Sequence, residues 1–138
     1  MFNEELIAAK VAARNAGKIL IKHLELQSKD IQYKKESGNS PVTAADYEAD
    51  RYLSNFLGGE FPNDGWLSEE TVDTYDRLDK KRVWIVDPLD GTKEFIQTIP
   101  EFCVSIGLVE DIKNASLVVS RSERTKGLWS NYKVIFHQ

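Results

Sequence analysis

The sequence predicts an α+β fold in which two N-terminal helices pack on a mostly antiparallel sheet, with a site at the strand ends. Three observations point there. Apolar residues recur at helical spacing from residue 3 to about 27, and again from Thr43 to about Leu57. The second half carries short apolar runs instead, at 83–86, 102–109 and 117–119, which read as strands. Carboxylates and hydroxyls gather where these elements begin or end.

The first helix opens with Asn3 as its expected N-cap and with Glu4 and Glu5 in the first turn, where the helix dipole favours negative charge. Leu6, Ala9, Ala13, Ala16, Leu20 and Leu24 then form one apolar stripe, and Gly17 beside it allows a neighbour to approach closely. Residues 34–42 are polar, contain Gly and Pro, and read as a loop. Thr43-Ala44-Ala45-Asp46 is a capping-box start with Asp in the usual place of Glu. Ala45, Ala49, Tyr52, Leu53 and Phe56 form the inward face of the second helix, and Gly58-Gly59 are expected to stop it.

Trp66-Leu67 reads as a short strand, and residues 71–82 as an exposed polar excursion. In the 102–109 strand Phe102, Val104, Ile106 and Leu108 share one face, with Cys103, Ser105, Gly107 and Val109 on the other. Residues 111–114 read as a turn. In the tail, Trp129, Tyr132, Ile135 and Phe136 have helical spacing, whereas Lys133-Val134-Ile135-Phe136 has strand character; both readings stay open.

A chain of 138 residues suits one domain with a real core. Its net charge of −4 and the lack of a basic stripe argue against general binding to a nucleic-acid backbone. No apolar run is long enough to span a bilayer, and Met1-Phe2-Asn3-Glu4-Glu5 lacks the basic-then-apolar order of a signal peptide. The single cysteine, Cys103, excludes an intramolecular disulfide. These features together lead to the expectation of a cytoplasmic protein.

The most informative stretch is 84–95, Trp-Ile-Val-Asp-Pro-Leu-Asp-Gly-Thr-Lys-Glu-Phe. An apolar strand ends in Asp87 and Asp90, and Gly91-Thr92 then opens a helix. Acidic groups therefore lie beside backbone N–H groups that favour an anion. Asp46, Glu69-Glu70, Asp87 with Asp90, and Thr92 come from separate segments. If they converge they need a cation, because two like charges about 4 Å apart repel by roughly 4 kcal/mol at an effective dielectric near 20. Oxygen-only ligands suit Mg²⁺, Mn²⁺ or Ca²⁺ rather than zinc. A cation beside an anion cradle suits a phosphate ester. Taken singly, each feature has a plainer reading. Asp-Pro-Leu-Asp-Gly can be an ordinary turn, Glu69-Glu70 a solvated pair and Asp46 a helix-start residue. Lys34-Lys35 can be a solvated charge run or a loop that touches substrate.

Taken together, three ordered blocks resemble the signature of the inositol monophosphatase superfamily: Asn39-Ser40-Pro41-Val42-Thr43-Ala44-Ala45-Asp46, Ser68-Glu69-Glu70, and Asp87-Pro88-Leu89-Asp90-Gly91-Thr92-Lys93-Glu94-Phe95. The first block and Lys93-Glu94-Phe95 are most similar to the bacterial 3′(2′),5′-bisphosphate nucleotidases of the CysQ type. The resemblance implies a layered α/β sandwich and a Mg²⁺-dependent, lithium-sensitive phosphomonoesterase that holds two or three ions, with Mn²⁺ as a substitute. Carried over by position, Glu69, Asp87, Asp90 and the Leu89 carbonyl would bind metal. Asp46, Thr92 and Glu69 would be catalytic, with Thr92 hydrogen-bonded to Asp46 to position the attacking water. Gly91 and Thr92 N–H groups would hold the phosphate, and Glu70 and Lys35 are additional candidates. The reaction implied is in-line attack by water on a small phosphorylated substrate such as adenosine 3′,5′-bisphosphate, giving AMP and phosphate. A homodimer is the assembly common among relatives.

The chain also departs from that family. The Trp-Asp-x-x-Ala-Gly block of the family's second half is absent. Residues 117–122 resemble a strand that the family places further downstream, so 115–138 read as joined from a later segment and the second half as largely missing. Glu123 stands where the nucleotidases often have His. An inositol monophosphatase, or a catalytically impaired remnant that binds metal or a partner, are the alternative functions.

Overall fold

Small side chains set the helix packing. In a computed structural model of the chain, helix α1 (Asn3–Glu25) buries Ala8, Ala9, Ala12, Ala13, Ala16, Gly17 and Leu20. Helix α2 (Ala44–Glu60) buries Ala45, Ala49, Leu53 and Leu57, and the two helices lie against each other. The structure describes residues 2–26, 31–34, 40–99, 101–111, 116–125 and 128–137, with side chains over 2–26, 42–99 and 101–111. Strands β1 (Ile31–Lys34) and β2 (Ser40–Thr43) form an antiparallel pair. Strands β3 (Gly65–Ser68), β4 (Arg82–Asp90), β5 (Cys103–Glu110), β6 (Ser116–Thr125) and β7 (Leu128–His137) form one sheet in that order. The β3–β4 pairing is parallel and the other three are antiparallel, so the sheet is mostly antiparallel, as the sequence predicts. A short helix, α3 (Thr92–Ile96), follows β4.

Alternation decides which sheet face meets the helices. Trp84 and Val86 of β4 are buried, as are Val104, Ile106 and Leu108 of β5 and the adjoining Phe102, whereas Ile85 is 42% exposed. These residues and the helix alanines and leucines make one core. At the start of β4, Arg82 donates to both carboxylate oxygens of Asp64 (2.9 and 3.0 Å) and to Glu5 (2.5 Å). The Trp84 indole donates to Asp64 at 3.0 Å. This cluster ties α1 and the segment between α2 and β3 to one end of β4, leaving the other end for the acidic residues. Among the described residues, no helix is long and apolar enough to cross a membrane.

Several expectations need correction. Asn3 is the first helical residue and not the cap; the cap position belongs to Phe2, in the left-handed region (φ 58) with no side-chain cap bond. Phe2 packs against the core, so apolar anchoring overrides capping chemistry there. Gly58 and Gly59 do not stop α2, which continues to Glu60. The buried Leu57 and the core-packed Phe61 hold its last turn, and Phe61 N–H donates to the Leu57 carbonyl at 2.8 Å. The loop expected at 34–42 contains strand at both ends, because backbone pairing in the Tyr33–Pro41 register outweighs polar composition. Of the two readings left open for the tail, the strand is the one found: β6 offers a backbone partner along most of β7, which a lone 3.6-residue pattern does not. The remaining residues of the 34–42 and 111–114 readings, Lys35 among them, lie outside the described residues.

Phe95 in α3 is fully buried and meets Phe102 edge to face, ring centroids 5.1 Å apart. That contact seats the Asp90-Gly91-Thr92 turn on β5. Phe95→Ala should cost about 3–5 kcal/mol of unfolding free energy, read from the urea midpoint at an unchanged slope.

Candidate metal and phosphate site

The site begins with a register. β3 and β4 run parallel with Ser68 beside Val86, so both strands end at the same edge, and the next residues are Glu69 and Asp87. Glu69 N–H donates to the Val86 carbonyl at 3.3 Å, which holds the two acidic positions side by side. Further along, Asp87 faces Ser105 but Asp90 faces Cys103, three steps on β4 against two on β5. The extra residue is a β-bulge, a device that re-aims side chains at a strand end. Within it Pro88 and Leu89 turn inward, Asp90 turns out, and Leu89 N–H donates to Asp87 Oδ1 at 3.2 Å. The Cys103 thiol lies 3.7 Å from Asp90 Oδ2 as a weak donor.

Gly91 then reverses the chain at φ +94. A Cβ there would meet the Glu101 carbonyl oxygen at 2.6 Å, so the turn requires glycine for conformation and for space. The turn delivers Thr92 to the start of α3. Its hydroxyl lies 3.1 Å from Asp46 Oδ1 and 3.1 Å from the Leu89 carbonyl oxygen. Asp46 is 1% exposed. Its second oxygen accepts from Thr43 N–H (2.8 Å) and the Thr43 hydroxyl (2.6 Å), completing the capping box read from the sequence. A local helix-start motif and a contact across the fold therefore share one carboxylate.

The electrostatics follow from this crowding. Burial, then the charges of Glu69 and Asp90, push the Asp87 carboxyl up to about 7; Leu89 N–H pulls the other way, and Asp46 adds a further push. Burial also raises Asp46 against the hydrogen bonds from Thr43 and Thr92. The structure thus brings Asp46, Glu69, Asp87, Leu89, Asp90, Gly91 and Thr92 to one end of the sheet, with Glu70 beside Glu69. It does not close the acidic groups around a point: among the described residues, no three His, Cys, Asp or Glu side chains form a ready metal cluster. Glu123 is in register with Cys103 and so shares a row with Asp90.

The sequence reading passed over Asp50. It lies one turn after Asp46 on α2, is 8% exposed, and accepts hydrogen bonds from the hydroxyls of Ser68 and Thr71 (2.7 Å for Thr71). An acidic residue four positions after Asp46, on the face that carries Ala45, Ala49 and Leu53, was the available signal.

The pH dependence has a definite sign. Between about pH 4 and 7 the native state keeps a proton on Asp87 that the unfolded chain has lost, so stability falls as pH rises through that window. Without divalent ions the melting temperature should decline from pH 4 to 7 and then level. Asp87→Asn should flatten the profile, removing about 1–2 kcal/mol of pH-dependent stability after allowance for solvent screening. Calorimetric melts in chelator across that range check this.

The inositol monophosphatase family pattern matches residues 3–120. The 3′(2′),5′-bisphosphate nucleotidase CysQ of Salmonella typhimurium is 41% identical over 102 residues, 73% of this chain and 41% of the relative. Among solved structures, the extragenic suppressor protein suhB of Bartonella henselae superposes with a TM-score of 0.74 at 28% identity, covering 97% of this chain and 52% of that one. CysQ of Bacteroides thetaiotaomicron, described as a bacterial member of the inositol monophosphatase family, gives 0.63 at 33% identity over 93% of this chain and 52% of that one. The chain therefore spans about two fifths of the length of the curated nucleotidases it matches and half of these solved chains. The fold, the order of the acidic segments and a match over most of the sequence agree: this chain belongs to the inositol monophosphatase family.

Proposed function

We propose that the chain is a metal-dependent phosphomonoesterase of the 3′(2′),5′-bisphosphate nucleotidase type, acting on a small phosphorylated substrate such as adenosine 3′,5′-bisphosphate. The observation that carries this is the 3.1 Å contact between the Thr92 hydroxyl and Asp46, made between different elements beside the crowded Asp87. The likeness to CysQ nucleotidases favours that substrate class.

Glu69, Asp87, Asp90 and the Leu89 carbonyl would hold Mg²⁺ or Mn²⁺, with Glu70 at a further ion position. The donors are all oxygens, and the raised Asp87 is the group whose charge a cation would relieve. A divalent cation there would supply charge to phosphoryl oxygens and acidity to a water. The protein's own groups do the rest. Thr92 has one hydroxyl proton and two acceptors in range, Asp46 and the Leu89 carbonyl. Donating that proton to Asp46 leaves the Thr92 oxygen as an acceptor for a proton of the attacking water, which it orients. As the water attacks, its proton would pass to the Thr92 oxygen and the Thr92 hydroxyl proton to Asp46, whose rotamer Thr43 fixes. Glu69 would orient the same water from the end of the neighbouring strand β3. Because α3 spans only Thr92–Ile96, its dipole is small, so the individual N–H groups of Gly91 and Thr92 would grip the phosphate. Lithium would compete at the cation position.

A second reading, an ion-binding chain with little turnover, is favoured by one observation: the described carboxylates do not close into a ready cluster. Phosphate release from adenosine 3′,5′-bisphosphate in Mg²⁺ decides between them, with inositol monophosphate assayed alongside. The expected result is release by wild type well above Asp90→Asn, faster on the nucleotide, with Thr92→Val lowering kcat about 10²–10⁴-fold at similar KM. No release above Asp90→Asn on either substrate overturns the phosphatase proposal.

A further inference from the structure

The Glu69-Glu70 pair sits in a short turn after β3, and the two residues that bracket it are both hydroxyl-bearing, Ser68 and Thr71. Each hydroxyl donates to a different oxygen of one carboxylate: Ser68 to Asp50 Oδ1 and Thr71 to Asp50 Oδ2. The Ser68 oxygen also accepts from Glu70 N–H at 3.3 Å, and the Thr71 oxygen accepts from the Trp66 indole at 3.4 Å. Glu69 N–H is taken by the Val86 carbonyl. The backbone of the acidic pair is thus pinned on one side to β4 and on the other, through two hydroxyls, to a single buried side chain of α2.

From this geometry we infer that Asp50 is a positioning residue: through Ser68 and Thr71 it sets the orientation in which Glu69-Glu70 meets a divalent cation. The inference rests on the metal-dependent reading above. Asp46 and Asp50 are one helical turn apart on the same buried face of α2. Asp46 fixes Thr92 at the end of β4, and Asp50 fixes the turn at the end of β3. One helix thereby adds side-chain anchors to two segments that the sheet ladder holds by their backbone. A carboxylate suits this role because both its oxygens accept, so both hydroxyls are held at once. An Asn offers one accepting oxygen and one NH₂ group that only donates, and can satisfy both hydroxyls through its two ends only if one of them turns to accept.

The test is Mn²⁺ and Mg²⁺ affinity, read by calorimetry and by the Mn²⁺ paramagnetic resonance signal, on the full chain. Asp50→Ala should weaken binding about 10–100-fold, the scale for groups that orient metal ligands. Asp50→Asn should recover part of that loss. Ser68→Ala combined with Thr71→Val should weaken binding comparably while leaving Asp50 in place, which guards against Asp50→Ala simply failing to fold. In a Glu69→Gln background the Asp50 effect should largely disappear, as expected for residues that act as a unit and not for a general loss of structure. Equal affinities in wild type and a folded Ser68→Ala, Thr71→Val variant overturn the inference, as does an Asp50 effect undiminished by Glu69→Gln. A wild type that binds neither ion removes the metal-dependent reading and this inference together.

Discussion

Repulsion among carboxylates at one end of two parallel strands is the constraint on which this structure turns. Burial of Asp87 first, and then the charges of Glu69, Asp90 and Asp46 that act on it, drive its carboxyl up to about 7. Placing like charges at the edge of a core costs folding free energy that hydrophobic burial elsewhere must offset. Such an arrangement persists only where the scaffold over-determines it. Here the determinants are the parallel β3–β4 register, the bulge between Asp87 and Asp90, and the left-handed glycine at 91.

The scaffold answers that repulsion from both ends of the sheet. At the far end the Arg82–Asp64–Glu5 cluster with the Trp84 indole locks the start of β4. At the site end α2 supplies Asp46 and Asp50, whose bonds run to hydroxyls and the Thr43 N–H rather than to cations. The contrast has a functional sense. A lysine or arginine beside Asp87 would quiet the repulsion permanently, whereas neutral donors hold the geometry and leave the negative charge available for the proposed cation. The same charge would oppose a phosphate approaching without one, making ion and substrate binding interdependent.

Much of this was legible in the sequence because the signals were local or strongly periodic. The capping box at Thr43–Asp46 is a four-residue pattern, and it appears as read. The alternation of Phe102, Val104, Ile106 and Leu108 against their neighbours places the first set in the core. What escaped depends on partners distant in sequence. Asp50 looks like a solvated helix residue until Ser68 of β3 and Thr71 of the turn after it arrive, and the tail reads as helix or strand until β6 offers it an edge. Asn3 and Gly58-Gly59 misled for a related reason: burial of an apolar neighbour overrode the preferences of capping and of glycine.

The proposed divalent cation would relieve the crowding of acidic groups around Asp87. An NMR pH titration of the Asp87 carboxyl carbon, with and without saturating Mg²⁺, reads this relief at the group that feels it. The expected midpoint is near 7 in chelator, falling below the ordinary carboxylate value of about 3.9 when Mg²⁺ is bound. An ordinary midpoint in chelator, unmoved by Mg²⁺, would contradict it.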